Sequence, residues 1–238
     1  MAFLYNGIVM CGRFVRHTSV REFTKLAGLL TDGRQAGEIS PSWNIAPGRA
    51  CVLVRHQLDH DSSDIVSLLW GLIPNWAKER PPTRPINARI ETAADKPMFK
   101  RLVRYRRALI AADGWYEWQQ TPSGKVPHFI RFKDGRPFFF GGIWDEWKGP
   151  DGIAVPTFAI LTRPAIEGIT EIHDRMPVIV PPHYYAAWLD KSISDPSDVL
   201  EICSLDTPPS ELINGYPVSG AVNKATEDGP QLIAKSNS

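Results

Sequence analysis

Ala108-Leu109-Ile110-Ala111-Ala112-Asp113-Gly114-Trp115-Tyr116-Glu117-Trp118 opens as an apolar run and closes on a carboxylate set between aromatic rings. The run 108–112 reads as a strand, and similar runs recur at 50–54, 65–69, 128–132, 138–141, 157–161 and 178–180. Proline-rich turns, among them Pro81-Pro82, Pro181-Pro182 and Pro208-Pro209, punctuate a chain with 21 prolines in 238 residues. Helical patterns are fewer, at 19–30, 97–102, 167–172, 183–189 and 197–204. Strands that outnumber short helices predict an α+β fold with a mixed, mostly antiparallel, barrel-like sheet and flanking short helices. No Gly/Ser-rich linker, charge block or repeat divides the chain, so a single domain is expected. Residues 225–238, with Glu227-Asp228-Gly229-Pro230 and Lys235-Ser236-Asn237-Ser238, are expected to form a flexible tail.

Lysine and arginine total 27 against 26 acidic residues, for a formal charge of +1. That balance excludes a bulk polyanion binder, so any nucleic-acid site must be a local patch. Lys100, Arg101, Arg104, Arg106 and Arg107 crowd one such stretch, although a basic run is more often a solvated face. The three cysteines, Cys11, Cys51 and Cys203, form no C-x-x-C pair and no disulfide framework, which fits a reducing compartment. Residues 1–9 lack the basic start and apolar core of a signal peptide. No apolar run approaches the ~18–20 residues that span a bilayer. A soluble, cytoplasmic monomer without membrane contact is expected.

The run Met10-Cys11-Gly12-Arg13-Phe14 holds the most reactive possibility in the chain. Were Cys11 the first residue, it would carry a free amine and a thiol on adjacent carbons. An α-amine titrates near ~7.7–8.0 and a thiol near ~8.5, so both are partly nucleophilic at neutral pH. An aldehyde would first form an imine with the amine, and the thiol would then close a five-membered thiazolidine. The plainer reading is a cysteine packed as a small hydrophobe beside a strand.

Four further clusters set polar groups among apolar or aromatic neighbours. Trp43-Asn44-Ile45-Ala46-Pro47 and Trp70-Gly71-Leu72-Ile73-Pro74-Asn75-Trp76 place flat rings beside turns, and Asn87-Ala88-Arg89-Ile90-Glu91-Thr92 mixes an amide, a cation and an acid. Glu117 stands between Tyr116 and Trp118, and Ile172-His173-Asp174-Arg175-Met176-Pro177 puts an imidazole just before a strand. Taken singly, each has a structural explanation. Glu117 could point outward from a strand whose neighbours point inward. His173 could partner a helix C-terminus. Arg89 could pair with Glu91 or Asp95, and tryptophans are usually core.

Together with Cys11, these motifs closely resemble the SRAP (SOS response-associated peptidase) family over residues 10 to about 223, whose members crosslink to abasic sites in single-stranded DNA. The resemblance implies that Cys11 is the nucleophile, Asn87 the amide that orients its amine, Glu117 the carboxylate near that amine, and His173 the general acid/base. It also implies that Arg13, Arg89 and Arg175 hold phosphates, while Asn44, Pro47, Trp70 and Trp76 belong to the turns that meet bases. These roles suit the chemistry. A closed abasic sugar needs a proton moved to open, and imidazole suits that step. Cations and aromatic faces grip a strand with little sequence reading.

In the family the reactive cysteine is the second encoded residue, exposed by loss of the initiator methionine, whereas residues 1–9 precede Met10 here. The expected organisation is a leader or misassigned start at 1–9, an SRAP-like catalytic domain at 10–224, and the tail. Of the two sources of an exposed Cys11, initiation at Met10 is favoured over removal of the leader. With the leader attached, Cys11 is expected to be silent toward aldehydes. Three readings stand: a crosslinking sensor of abasic sites with lyase-like Schiff-base chemistry; a cysteine peptidase acting on its own leader or on other proteins through Cys11, His173 and Asn87; and a non-catalytic single-stranded DNA-binding module. Covalency separates the last from the first. His56 and His60 have i,i+4 spacing, but Gln57 replaces the acid of a zincin motif, so no metal is expected. No Gly-rich phosphate loop is present and no cofactor is implied. The expected partner is single-stranded DNA carrying abasic sites, with replication or repair proteins as further candidates.

Overall fold

The computed structural model describes residues 12–28, 39–57, 62–205 and 213–236. Cys11, Met10, residues 1–9, His60 and the last two residues of the expected helix 19–30 lie outside them. In chain order the strands are β1 (Arg13–Arg16), β2 (Ser42–Ile45), β3 (Ala50–His56), β4 (Ser63–Trp70), β5 (Asn87–Arg89), β6 (Arg107–Ala112) and β7 (Gly114–Thr121). They continue as β8 (Gly124–Phe132), β9 (Phe138–Lys148), β10 (Ala154–Pro164), β11 (Arg175–Pro177), β12 (Ile179–Val180) and β13 (Ile213–Pro217). The helices are α1 (Val20–Leu26), α2 (Ile90–Ala93), α3 (Lys100–Tyr105), α4 (Tyr185–Leu189) and α5 (Pro196–Leu205).

Five strands close on themselves. β4, β3, β6, β9 and β10 pair antiparallel in that order, and a parallel pairing of β10 with β4, Phe158 opposite Trp70, shuts the ring. Period-two alternation divides these strands between two cores. Val52, Val54, Leu109, Ala111, Phe139, Ile143, Ala159 and Leu161 face outward, against Phe23 of α1, Leu102 and Val103 of α3, and Tyr185 and Trp188 of α4. Leu53, Ile110, Phe140, Trp144, Phe158 and Ile160 face inward. Gly142 lies between Ala108 and Ile160, where a Cβ would come within 2.8 Å of the Ala159 carbonyl oxygen, so the barrel can close only on glycine there.

The second sheet, β13-β8-β7-β1-β2, is antiparallel throughout. Phe14, Trp115 and Ile130 on one face join the barrel's inner core, whereas Tyr116, Phe129 and Val15 on the other pack with Val218 and Val222. The result is the expected α+β domain with a barrel-like sheet and short helices. Among the described residues no helix is long and apolar enough to cross a membrane.

Two local expectations fail. Residues 167–172 form successive turns rather than a helix, because Gly168 sits at φ +80° in the left-handed region and breaks the helical path. The segment 225–236 does not fray. Asp228 Oδ1 accepts from the Trp43 N–H at 2.6 Å, Leu232 is buried, and Lys235 bridges to Val218.

Candidate functional site

Glu117 sits on β7 with its side chain buried at 1% exposure. It shares a face with Trp115, which turns toward the barrel core, so it points inward and not to solvent. β1 runs antiparallel beside β7, Phe14 opposite Trp115 and Arg13 opposite Tyr116. One more step of that register sets buried Gly12 level with Glu117. Cys11 is the residue before Gly12. On the far side of Glu117, His128 of β8 is directly opposite and also buried, its Nδ1 3.1 Å from the Val126 carbonyl oxygen.

A second group of side chains comes from two short strands that flank the end of β10, β5 on one side and β11 on the other. Asn87 pairs opposite Ile160, Arg89 opposite Thr162, and Arg175 opposite Pro164. Arg175 is buried and donates from both terminal nitrogens to Glu91, at 2.5 and 2.8 Å, and to the Thr162 carbonyl at 2.8 Å. These bonds hold the Glu91 carboxyl below the usual carboxylate range.

His173 precedes this strand, and the Arg175 backbone N–H donates to its Nδ1 at 3.0 Å. Asp174 Oδ1 stands equally close to the same nitrogen. The two contacts exclude each other: with Nδ1 unprotonated the ring accepts from Arg175 and carries its proton on Nε2, available as a donor, whereas a ring protonated on Nδ1 gives that proton to Asp174. The turn before His173 leans on β7, because Gln119 donates from Nε2 to the Glu171 carbonyl at 2.9 Å. Gln119 shares its face of β7 with Glu117. The fold thus draws the His173 turn, Glu117 and the start of β1 to one side of the second sheet.

The residues assigned to nucleic-acid contacts divide by exposure. Pro47, Trp76 and Arg89 are exposed, with Trp76 at 66%. Trp70 is fully buried, stacked on Phe158 and bonded from Nε1 to the Ile86 carbonyl at 2.9 Å, so its ring offers no face to a base. Asn44 is also buried. It donates to the carbonyls of Val222, Lys224 and Glu227 at 3.3, 3.0 and 2.8 Å. Arg13 donates to Asn44 Oδ1 and to the Val222 carbonyl, both at 2.7 Å. Asn44 and Arg13 therefore clasp the C-terminal segment, and Arg175 braces Glu91. Only Arg89 among the three arginines stands out in solvent.

Cys51 is no rival nucleophile. Its thiol is buried, which pushes its pKa up, and lies 3.6 Å from the Arg49 carbonyl. The sequence reading missed His128 and the role of Glu91 as partner of Arg175. A signal for the first exists: Thr121 pairs with Gly124 across a two-residue loop, and counting back along that hairpin sets His128 opposite Glu117. Nothing in the local sequence announces the Glu91–Arg175 pair, whose members lie on α2, just after β5, and on β11, and meet because both strands add to β10.

Against known proteins, the sequence model described as SOS response associated peptidase (SRAP) matches residues 10–225. Abasic site processing protein YedK of Escherichia coli is 35% identical over 228 residues, spanning 94% of this chain and 99% of that protein. YoqW of Bacillus subtilis, with the same description, is 34% identical over 228 residues with the same coverage. The mouse abasic site processing protein HMCES is 29% identical over 271 residues, covering 94% of this chain and 76% of that protein. Among solved structures, a protein from Bacteroides thetaiotaomicron superposes with a TM-score of 0.80 at 22% identity, over 95% of this chain and 100% of that one. A phage-related protein from Bordetella bronchiseptica gives 0.70 at 28% identity, over 87% and 94%.

Proposed function

The chain belongs to the SOS response associated peptidase family, and on that premise we propose that it processes abasic sites in single-stranded DNA by forming a thiazolidine with Cys11. The observation that carries the reading is the buried carboxylate of Glu117 level with Gly12, which brings the start of the described chain to a proton acceptor held away from water. The relatives named abasic site processing proteins support the substrate class.

The chemistry is then as follows. His173 gives its Nε2 proton to the ring oxygen of the closed sugar while the anomeric hydroxyl loses its own, and the aldehyde opens. The Cys11 amine adds to that aldehyde and a water leaves, giving an imine. Glu117 takes the proton that the amine sheds, and Asn87 orients the nitrogen. The Cys11 sulfur adds to the imine carbon, the nitrogen takes up a proton, and the ring is complete with the net loss of one water. Arg89 grips a phosphate outside this centre.

Only an unacylated Cys11 nitrogen can do this, so the step requires initiation at Met10 with methionine removal, or removal of everything before Cys11. The second route fits the peptidase activity in the family's description. The Cys11 sulfur can reach the Met10 carbonyl through a five-membered ring, shifting the acyl group from nitrogen to sulfur, and water then cleaves the thioester and frees the amine.

Two forms of the chain provide the test, one starting at Cys11 and one retaining residues 1–10. Mixed with single-stranded DNA holding an abasic site, the short form should give an adduct that survives denaturant, and the long form none unless it is cut. Equal crosslinking by both, with the leader still present by intact mass, overturns the proposal.

A further inference from the structure

The loop between β4 and β5 holds Trp76 with its ring mostly in solvent, at 66% exposure. A single exposed indole is ordinary on a protein surface, and what sets this one apart is the hold on the backbone that carries it. Here three buried side chains from β9 and β10 pin that backbone on both sides of the ring. Thr157 Oγ1 accepts from the Ile73 N–H at 2.8 Å, Asp145 Oδ2 accepts from the Asn75 N–H at 2.8 Å, and Trp147 Nε1 donates to the Ala77 carbonyl at 2.6 Å.

Asp145 is the unusual member. It is 2% exposed, and a buried carboxylate is costly unless charge and hydrogen bonds compensate it. Its Oδ1 accepts from Arg106 Nη1 at 2.8 Å and from the Glu146 N–H at 2.9 Å, leaving Oδ2 for the residue before Trp76. Arg106 is itself held over the face of Trp144, 4.9 Å from the ring centre, with Arg55 at 4.3 Å from the same ring. A rigid chain of contacts therefore runs from the barrel core to the backbone beside the exposed ring.

We propose that Asp145, braced by Arg106, is a positioning residue that fixes Trp76 as a platform on which a base of single-stranded nucleic acid stacks. The inference rests on the single-strand reading above and identifies how the chain holds its one large exposed indole among the described residues in a ready position. A preformed platform avoids the ordering cost of a ring that must be immobilised on binding. Stacking is indifferent to base identity, as a lesion-directed protein requires.

The test uses the full chain and an undamaged single-stranded oligonucleotide, so that no covalent step enters. Trp76→Ala should weaken binding by about 5- to 100-fold, the span of one base–aromatic stack. Asp145→Ala should lose most of that affinity, the double variant should bind no worse than Trp76→Ala alone, and Asp145→Asn, which keeps an acceptor for Asn75, should recover part of it. Where Asp145→Ala does not fold, Trp147→Phe removes the donor to Ala77 while keeping an aromatic ring in the core, and it should weaken binding in the parent chain but not in Trp76→Ala. Wild-type affinity in a folded Asp145→Ala or Trp147→Phe chain, or a loss that multiplies with that of Trp76→Ala, overturns the positioning role. Unchanged affinity in Trp76→Ala overturns the platform, while the Cys11 chemistry, read separately by crosslinking, is untouched by that result.

Discussion

Asn44→Ala separates a residue that holds the fold from one that touches DNA. In the structure the Asn44 amide nitrogen donates to three carbonyls of the C-terminal segment, those of Val222, Lys224 and Glu227, and its oxygen accepts from Arg13. Alanine removes all of these bonds. Lys224 and Glu227 are exposed, so their carbonyls can rehydrate and each neutral bond should count for only about 0.5 kcal/mol, with about 1.5 kcal/mol for the charge-assisted bond from Arg13. The expected loss is about 3 kcal/mol, which for a chain of this size lowers Tm by roughly 6–12 °C. Thermal melting measures it directly. Limited proteolysis should also cut residues 218–236 sooner, because β2 no longer clasps them. DNA affinity measured well below the melting point should fall little. A melting temperature at the wild-type value combined with a large loss of DNA binding would refute the scaffold reasoning and return Asn44 to the nucleic-acid surface.

His173→Ala should slow crosslinking by roughly 10²-fold or more while leaving affinity for undamaged single strands near wild type; because it also deletes the acceptor of the Arg175 N–H, the melting temperature should fall modestly and rates are compared well below it. A wild-type rate in folded protein would point to another donor. Arg89→Ala should reduce the salt dependence of DNA binding by about one unit of log–log slope, and an unchanged slope would move the strand elsewhere, for instance onto Lys100 and Arg101. Glu91→Gln tests the brace on Arg175. A carboxyl held low by Arg175 stabilises the fold above its unfolded pKa of about 4.3 and loses that effect as pH falls through the folded value. The variant should thus melt lower than the parent at neutral pH, and the gap should close only as pH falls below that unfolded value and through the folded one, whereas a constant gap throughout would contradict the pairing.

The barrel strands were legible because they are buried on both faces. Runs such as Ala108-Leu109-Ile110-Ala111-Ala112 need no alternation when one face meets helices and the other the inner core. β7 was harder to read, since Glu117 sets a carboxyl group on the face that Trp115 turns to the core. β5 and β11 are too short to carry a pattern and exist because β10 offers them an edge. The docked C-terminal segment was illegible for a different reason. It is bound through its backbone carbonyls by Asn44 and Arg13, and its own polar side chains carry little trace of that. Trp70 shows the limit of motif reading. A tryptophan beside a turn can look like a platform, yet of Trp70 and Trp76 in that motif only Trp76 lies outside the core.

The central claim is a thiazolidine between Cys11 and an abasic aldehyde, and the bond itself can be read from the adduct by mass spectrometry after treatment with borohydride and then a thiol-alkylating reagent. The adduct of the Cys11-initiated chain should weigh protein plus DNA less one water, gain no hydrogen from borohydride, and carry no alkyl group on Cys11, because both nitrogen and sulfur are closed into the ring. An adduct that takes up hydride and is then alkylated on Cys11 would be an open imine, and would contradict the claim.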